Sequence, residues 1–375
     1  MNGNDKNGAL KTMSSDSMIR FESVADICRW LNQFEHPWLH HEWAETPNVV
    51  SVSAQGVVSI TLPFAAGSVT ELLEHWIITQ QQLHHVAQSM TFTVTTRVAP
   101  LAAGDKSPLK GVKNIIVVSS AKGGVGKSTT AVNLALGLQK QGAKVGLLDA
   151  DIYGPSVPMM LGTVDEKPQS PDGKMMMPIE SCGLFTNSVG YLVPADSATI
   201  WRGPMASKAL TQIITETWWP DLDYLVIDMP PGTGDIQLTL AQQIPVTGAV
   251  VITTPQDLAL ADAIKGINMF NKVNVPVVGV VENMSYHICS NCGHHEAIFG
   301  TGGAERMAKN YSVPLLAQLP LHIKIREDID SGKPTVASSP DSEQASAYID
   351  LAGQVASRLF WQGEPVAEQI AIRTM

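Results

Sequence analysis

Lys122-Gly123-Gly124-Val125-Gly126-Lys127-Ser128-Thr129 follows the apolar run Ile115-Ile-Val-Val-Ser119. It leads into Ala131, Leu134, Ala135 and Leu138, spaced as one buried face of a helix. A strand, a glycine-rich turn and a helix N-terminus in that order form a cradle for phosphate. Glycine lets backbone N–H groups approach the phosphate oxygens, and the helix N-terminus adds the positive end of its dipole. In such a cradle Lys127 lies along the β- and γ-phosphates, and the Ser128 hydroxyl is a Mg²⁺ ligand. Gly123, Gly124, Val125, Gly126, Lys127, Ser128 and Thr129 are therefore the expected ATP contacts.

The usual phosphate-loop pattern has glycine where this chain has Ala121, and a second lysine, Lys122, precedes the glycine pair. This deviant Walker A form resembles the MinD/ParA/nitrogenase-iron-protein class of dimeric ATPases. The resemblance implies that Lys122 reaches into the partner's nucleotide site, where it offsets charge developing on the γ-phosphate.

The chain has 375 residues, of which 44% are hydrophobic, enough for a large core. No apolar run approaches the length of a membrane span. The first twenty residues are polar and lack the apolar region of an export signal, so a frayed N-terminus and a cytoplasmic location are expected. A net charge of −10, with 25 Lys+Arg against 35 Asp+Glu and no basic run, argues against a nucleic-acid surface. The cysteines are Cys28, Cys182, Cys289 and Cys292, too few for a disulfide scaffold. Cys28 and Cys182 read as small buried residues.

Four stretches are expected: a disordered 1–20, a small domain at 21–98, a linker at 99–113 and an ATPase domain at 114–375. In the small domain, Phe21 to Phe34 and Val69 to Ala87 have helical character. Val50/Val52 and Val58/Ile60/Leu62 alternate around Ala54-Gln-Gly56 as a hairpin, and Thr91 to Thr95 is a further strand. Beyond the linker, strands at 115–119, 145–149, 224–228, 249–253, 276–281 and 315–319 alternate with helices, the last near 342–361. Unbroken apolar strands such as Tyr224-Leu-Val-Ile227 fit a parallel sheet covered on both faces. The fold class expected is α/β: a doubly wound, mostly parallel P-loop sheet preceded by a small α+β domain. Ligands of such sheets bind at the carboxyl ends of the strands.

The remaining motifs follow strands, as that rule requires. Asp149-Ala-Asp151 ends the second expected strand of the sheet; the class resemblance gives Asp149 a Mg²⁺-shell role and makes Asp151 the group that positions the attacking water. Asp228 ends an apolar strand, an arrangement able to hold Mg²⁺, and Met229-Pro-Pro-Gly-Thr-Gly-Asp235 follows as a stiff loop with a glycine pivot. Asn283 matches the class position that reads the adenine edge.

Cys289-Ser-Asn-Cys292 places two thiolates where both can bind one metal, as iron–sulfur clusters and zinc prefer. Two thiolates do not complete a four-thiolate shell; two subunits meeting on a twofold axis would. The ordered set of Lys122–Thr129, Asp149–Ser156, Trp201–Met205, Asp228–Asp235 and Glu282-Asn-Met-Ser with Cys289-x-x-Cys292 resembles the Mrp/ApbC family of iron–sulfur cluster carrier ATPases. That resemblance spans about residues 110–365. It implies a homodimer that binds a labile cluster, expected as [4Fe–4S], at Cys289 and Cys292 and passes it to apo iron–sulfur proteins, with ATP and Mg²⁺ as cofactors. Neither nucleic acid nor membrane is an expected partner.

Two other readings stay open. A partition- or positioning-type ATPase of the ParA/MinD kind would use the same phosphate loop, although the tail from Trp361 is short and not basic. A zinc-stabilised ATPase module would complete a shell within one chain from Cys289, Cys292 and His287, His294 or His295.

Overall fold

The computed structural model describes residues 21–84, 90–192 and 203–366. The expected N-terminal tail, residues 85–87 of an expected helix, Trp201, Arg202 and the tail beyond residue 366 lie outside the described residues. The chain forms two compact units: Met1–His36, His41–Thr61 and Val69–Thr95 in one, and Pro37–His40, Leu62–Ser68 and Thr96–Met375 in the other.

The smaller unit contains α1 (Val24–Leu31), β1 (Val50–Val52), β2 (Val57–Leu62), most of α2 (Gly67–His84) and β3 (Thr91–Thr96). Ser23 and Asp26 cap α1 reciprocally, each satisfying a backbone N–H that no helical carbonyl reaches. Gly56, at φ +79°, turns the hairpin, so β1 and β2 pair antiparallel and the sheet runs β1-β2-β3. Trp30 anchors the interior, 5.4 Å from Phe21, 4.9 Å from Trp76 and 5.5 Å from Phe92 between ring centres.

The larger unit follows as β4 (Val112–Ser119), α3 (Lys127–Lys140), β5 (Val145–Asp149), α4 (Val157–Met160), β6 (Ile179–Ser181), β7 (Leu184–Ser188), α5 (Val189–Leu192) and α6 (Gly203–Thr215). Next come β8 (Leu222–Asp228), α7 (Asp235–Gln243), β9 (Gly248–Thr253), α8 (Asp257–Lys272), β10 (Val277–Ile288) and β11 (His295–Glu296). The chain closes with α9 (Gly303–Tyr311), β12 (Leu315–Leu321), α10 (Ile323–Asp330), α11 (Thr335–Ser338) and α12 (Glu343–Gln362). The sheet order is β11-β10-β9-β4-β8-β5-β7-β6, with β12 also paired to β10. Among the described residues of this sheet, only the short β6 and β11 pair antiparallel. Strand β4 lies between β8 and β9, where successive connections diverge, and the crevice at its carboxyl end receives the phosphate loop.

Helix α3 is buried from Thr130 to Leu138, on more than its expected stripe, because it is roofed by α12. Gly137 allows this: a Cβ there would lie 2.8 Å from both the Ala352 side chain and the Tyr348 carbonyl. The expected linker is held down along its length. Pro100 and Ala102 exchange backbone hydrogen bonds with Val366 and Glu364, and Lys106 donates to the carbonyls of Ala241 and Ile244 at the end of α7, at 2.7 and 2.9 Å.

Three strands, β6, β7 and β11, escape sequence reading because they are short and polar. In β7, Thr186, Asn187 and Ser188 are fully buried, and each side chain is paired, to Ile179, Thr217 and Asp149 respectively. Cys182 departs from its expected burial: it is exposed, at φ +51° in the tight turn between β6 and β7. Among the described residues no helix is long and apolar enough to cross a membrane.

Gly137→Ala should lower the unfolding free energy by about 1–3 kcal/mol in urea denaturation, because neither the Tyr348 carbonyl nor Ala352 has room to retreat. An unchanged midpoint would mean that α3 and α12 do not meet at this position.

Candidate functional site

The phosphate loop joins β4 to α3 with Gly124 and Gly126 both at φ +81°, a region that disfavours other residues. Gly126 has a second constraint, since the Asn283 side-chain nitrogen occupies the place a Cβ would take. Lys122 is exposed on the loop's outer side, and the Ser120 hydroxyl donates to its carbonyl at 2.9 Å.

Lys127 points inward and is 6% exposed. Its ammonium donates to Asp228 Oδ1 at 2.5 Å and to Ser128 Oγ at 3.2 Å, and lies 3.7 Å from Asp151 Oδ2. The structure therefore brings Lys127 and Ser128, Asp151 and Asp228 to one point from three separate places in the sequence. Burial pushes the Asp228 carboxyl above the ordinary carboxylate range despite the pull of Lys127. Its Oδ2 is buried without a hydrogen-bond partner. An orphaned carboxylate oxygen beside a serine hydroxyl is a donor set that suits Mg²⁺, so Ser128 and Asp228 fit the expected ion.

Asp149, expected in the Mg²⁺ shell, has both carboxylate oxygens engaged by protein donors. Its Oδ1 accepts from Asp151 N at 3.1 Å; its Oδ2 accepts from Ser156 N at 3.0 Å and from Val157 N and Ser188 Oγ at 3.1 Å. With both oxygens engaged and no exposure, it organises the β5–α4 loop that aims Asp151. Burial, with the charge of Asp228 adding to it, pushes the Asp149 carboxyl up to about 7.

The loop after Asp228 is laced to the site. Met229 N donates to Val118 O at 3.0 Å and Gly232 N to Ser120 O at 2.9 Å, while the buried Gln237 amide donates to Pro230 O. Asn283 sits under the phosphate loop, donating to Val125 O at 2.8 Å. A cavity of about 220 Å³ opens beside it, bounded by Gly126, Thr129, Asn283, Met284, Pro320 and Arg326. It lies next to the phosphate loop. A larger open groove of about 1080 Å³ between α6 and α7 shares no residue with the phosphate loop.

The cysteine pair sits at the far end of β10, where the strand continues beyond β9 and turns into β11. Cys289 N donates to His294 O at 2.9 Å and Gly293 N to Cys289 O at 2.8 Å, with Gly293 at φ +70°. Both thiols are free, Cys289 half-buried and Cys292 exposed. Backbone N–H groups of Asn291 and Cys292, then the Cys292 side chain, hold the Cys289 thiol below the ordinary range. His295 stacks on Tyr286 with ring centres 5.0 Å apart. Among the described residues no three His, Cys, Asp or Glu side chains converge to hold a metal.

Sequence reasoning missed Ser188, which braces Asp149, Gln237, which holds the Pro-Pro loop, and the ring of partners around Glu282. Ser188 and the Glu282 ring depend on approaches between distant segments that no local pattern announces, whereas Gln237 reaches back along its own loop to Pro230.

A family model described as ParA, the NUBPL iron-transfer P-loop NTPase, matches residues 111–356. The chain belongs to this family of iron-transfer P-loop NTPases. It is 56% identical over 368 residues to the iron-sulfur cluster carrier protein of Haemophilus influenzae, covering 97% of this chain and 99% of that one. It is 47% identical to the mouse iron-sulfur cluster transfer protein NUBPL, over 70% of this chain and 83% of that protein. Among solved structures it resembles a nucleotide-binding protein from Archaeoglobus fulgidus in complex with ADP, with a TM-score of 0.54 and 36% identity, over 60% of this chain and 88% of that one. The Mrp/ApbC resemblance and the α/β P-loop fold both stand on these findings, and this family member is an ATPase.

The lowered range of Cys289 has a measurable sign. In the metal-free protein, iodoacetamide alkylation of Cys289 should persist to a lower pH than that of glutathione, because its thiolate is favoured by the turn's N–H groups. Peptide mass mapping across pH 6 to 9 reads this directly; matching pH profiles would remove the turn's influence.

Proposed function

We propose that the protein is an ATP-hydrolysing iron–sulfur cluster carrier that holds a labile cluster between two copies of the chain and passes it to apo iron–sulfur proteins. The observation that carries this reading is the cysteine hairpin of an iron-transfer NTPase. It offers two thiolates and no third ligand among the described residues. A second copy related by a twofold axis supplies the other two, giving a four-thiolate shell that suits [4Fe–4S]. A cluster shared at an interface is released when the interface opens, which is what a carrier requires. The relatives named as cluster carrier and transfer proteins support the same reading.

The nucleotide half works through charge. Lys127 exchanges its contact with Asp228 for the β- and γ-phosphates, neutralising them for in-line attack. Asp151, 3.7 Å from that ammonium, positions the attacking water. Ser128 and Asp228 hold Mg²⁺, which when bound offsets phosphate charge. Lys122, exposed on the loop, reaches the partner's γ-phosphate in this reading. Asn283 and the adjoining cavity take the adenine. The cycle operates in the cytoplasm, with apo-proteins as recipients.

Anaerobic reconstitution with iron and sulfide, followed by Mössbauer spectroscopy and sedimentation analysis, tests the carrier half. About one [4Fe–4S] cluster per two chains is expected, and none in Cys289→Ala/Cys292→Ala. One tightly bound zinc ion per chain in place of a cluster would overturn it.

The hydrolytic half has its own test. Lys127→Ala and Asp151→Asn should each reduce kcat for ATP by about 100-fold or more, with the circular dichroism spectrum unchanged. Undiminished turnover in either variant removes that residue's assigned role.

A further inference from the structure

Glu282 is the last β10 residue to pair with β9, and it is 1% exposed. A carboxylate buried so deeply needs donors, and three reach it. Ser285 Oγ and Gln318 Nε2 donate to Oε1 at 2.6 and 2.9 Å, and Ala304 N donates to Oε2 at 3.2 Å.

The places from which these donors come define a clamp. Ser285 lies on the strand that enters the cysteine hairpin. Ala304 is the second residue of α9, the helix the chain enters on leaving that hairpin. Its N–H is one that no helical carbonyl can reach, so Glu282 caps α9 and meets the positive end of its dipole. Gln318 belongs to the neighbouring strand β12. One buried side chain therefore pins both ends of the segment bearing Cys289 and Cys292.

The next residue, Asn283, is bonded to the phosphate loop through Val125 O and fills the space above Gly126. Between the pairs Glu282–Gln318 and Tyr286–Pro320, β10 advances four residues while β12 advances two. The surplus forms a bulge with Met284 at φ +55°, in the left-handed region that a methionine adopts only under constraint. Glu282, the Asn283 that supports the phosphate loop, the bulge and the entry to the hairpin thus follow one another along β10.

We propose that Glu282 is a positioning residue that transmits the state of the nucleotide site to the cysteine hairpin. Displacement of the phosphate loop acts on Asn283, and the clamp passes it to the entering and leaving ends of the hairpin together. The inference takes its purpose from the carrier reading, but the clamp acts in the chain with no cluster bound and is tested there.

The test measures the iodoacetamide alkylation rate of Cys289 in the metal-free, full-length protein, resolved from Cys28 and Cys182 by peptide mass mapping. The rate is taken without nucleotide, with saturating Mg-ADP and with a non-hydrolysable ATP analogue. In the wild type the nucleotides should change it by about fivefold or more. Glu282→Gln keeps the shape of the side chain but loses one acceptor oxygen, and should abolish that change while nucleotide affinity is retained. If Glu282→Gln lowers the melting temperature yet keeps the full nucleotide response, the residue is merely structural and the proposal is overturned. Absence of a nucleotide response in the wild type overturns it too, whereas failure of the carrier reading shows separately, as failure to load a cluster. Should Glu282→Gln not fold, Ser285→Ala decides, since it releases only the entering end: a reduced response is expected, and an unchanged one overturns the clamp.

Discussion

The ammonium of Lys127, held between Asp228 and Asp151 at the floor of the phosphate loop, is the interaction on which the larger unit is organised. A buried ion pair is expensive to assemble, and removing one partner leaves an uncompensated charge. The protein sustains it by enclosing it in a sheet whose strands are apolar on both faces, with Ile116, Val117 and Val118 of β4 wholly buried. Parallel pairing of β5 and β8, and of β8 and β4, then brings Asp149, Asp228 and the phosphate loop to the same end of the sheet. Burial raises the proton affinity of Asp149 and Asp228; the charge of Asp228 adds to it at Asp149, while Lys127 opposes it at Asp228. Carboxylates outnumber the lysine there. That surplus of negative charge is what a divalent cation accompanying a nucleotide would offset.

A second line of organisation runs along β10. Its first half is an ordinary buried parallel strand; its second half leaves β9 and turns into β11. The two halves differ in environment, and the left-handed Met284 marks the change. At that point Glu282 and Asn283 face different tasks, one gathering donors around the hairpin and the other supporting the phosphate loop. A strand that serves both sites links them without a separate signalling element.

Much of the nucleotide site was legible. Glycine positions, the lysine pair and the carboxylates after β5 and β8 are local patterns, since a phosphate loop and the residue ending a strand depend on near neighbours in the chain. The long helix at 343–362 was legible for the same reason, its buried face being periodic. Illegible were β7, whose buried Thr186, Asn187 and Ser188 read as polar loop, and the extension of β10 past its expected end near residue 281. So was the exposure of Cys182, which follows from the turn it occupies.

By itself, then, the sequence determined the phosphate cradle, the strand-ending carboxylates and the thiol pair, because backbone freedom at glycine and the order of apolar runs are properties of adjacent residues. Only the tertiary structure decided which groups meet: that Asp149 spends its oxygens on a loop, that Asp228 keeps one free, and that Glu282 gathers donors from residues 285, 304 and 318. Those meetings follow from sheet register and from the cost of leaving a buried polar group unpaired, and neither is written in any single stretch of the chain.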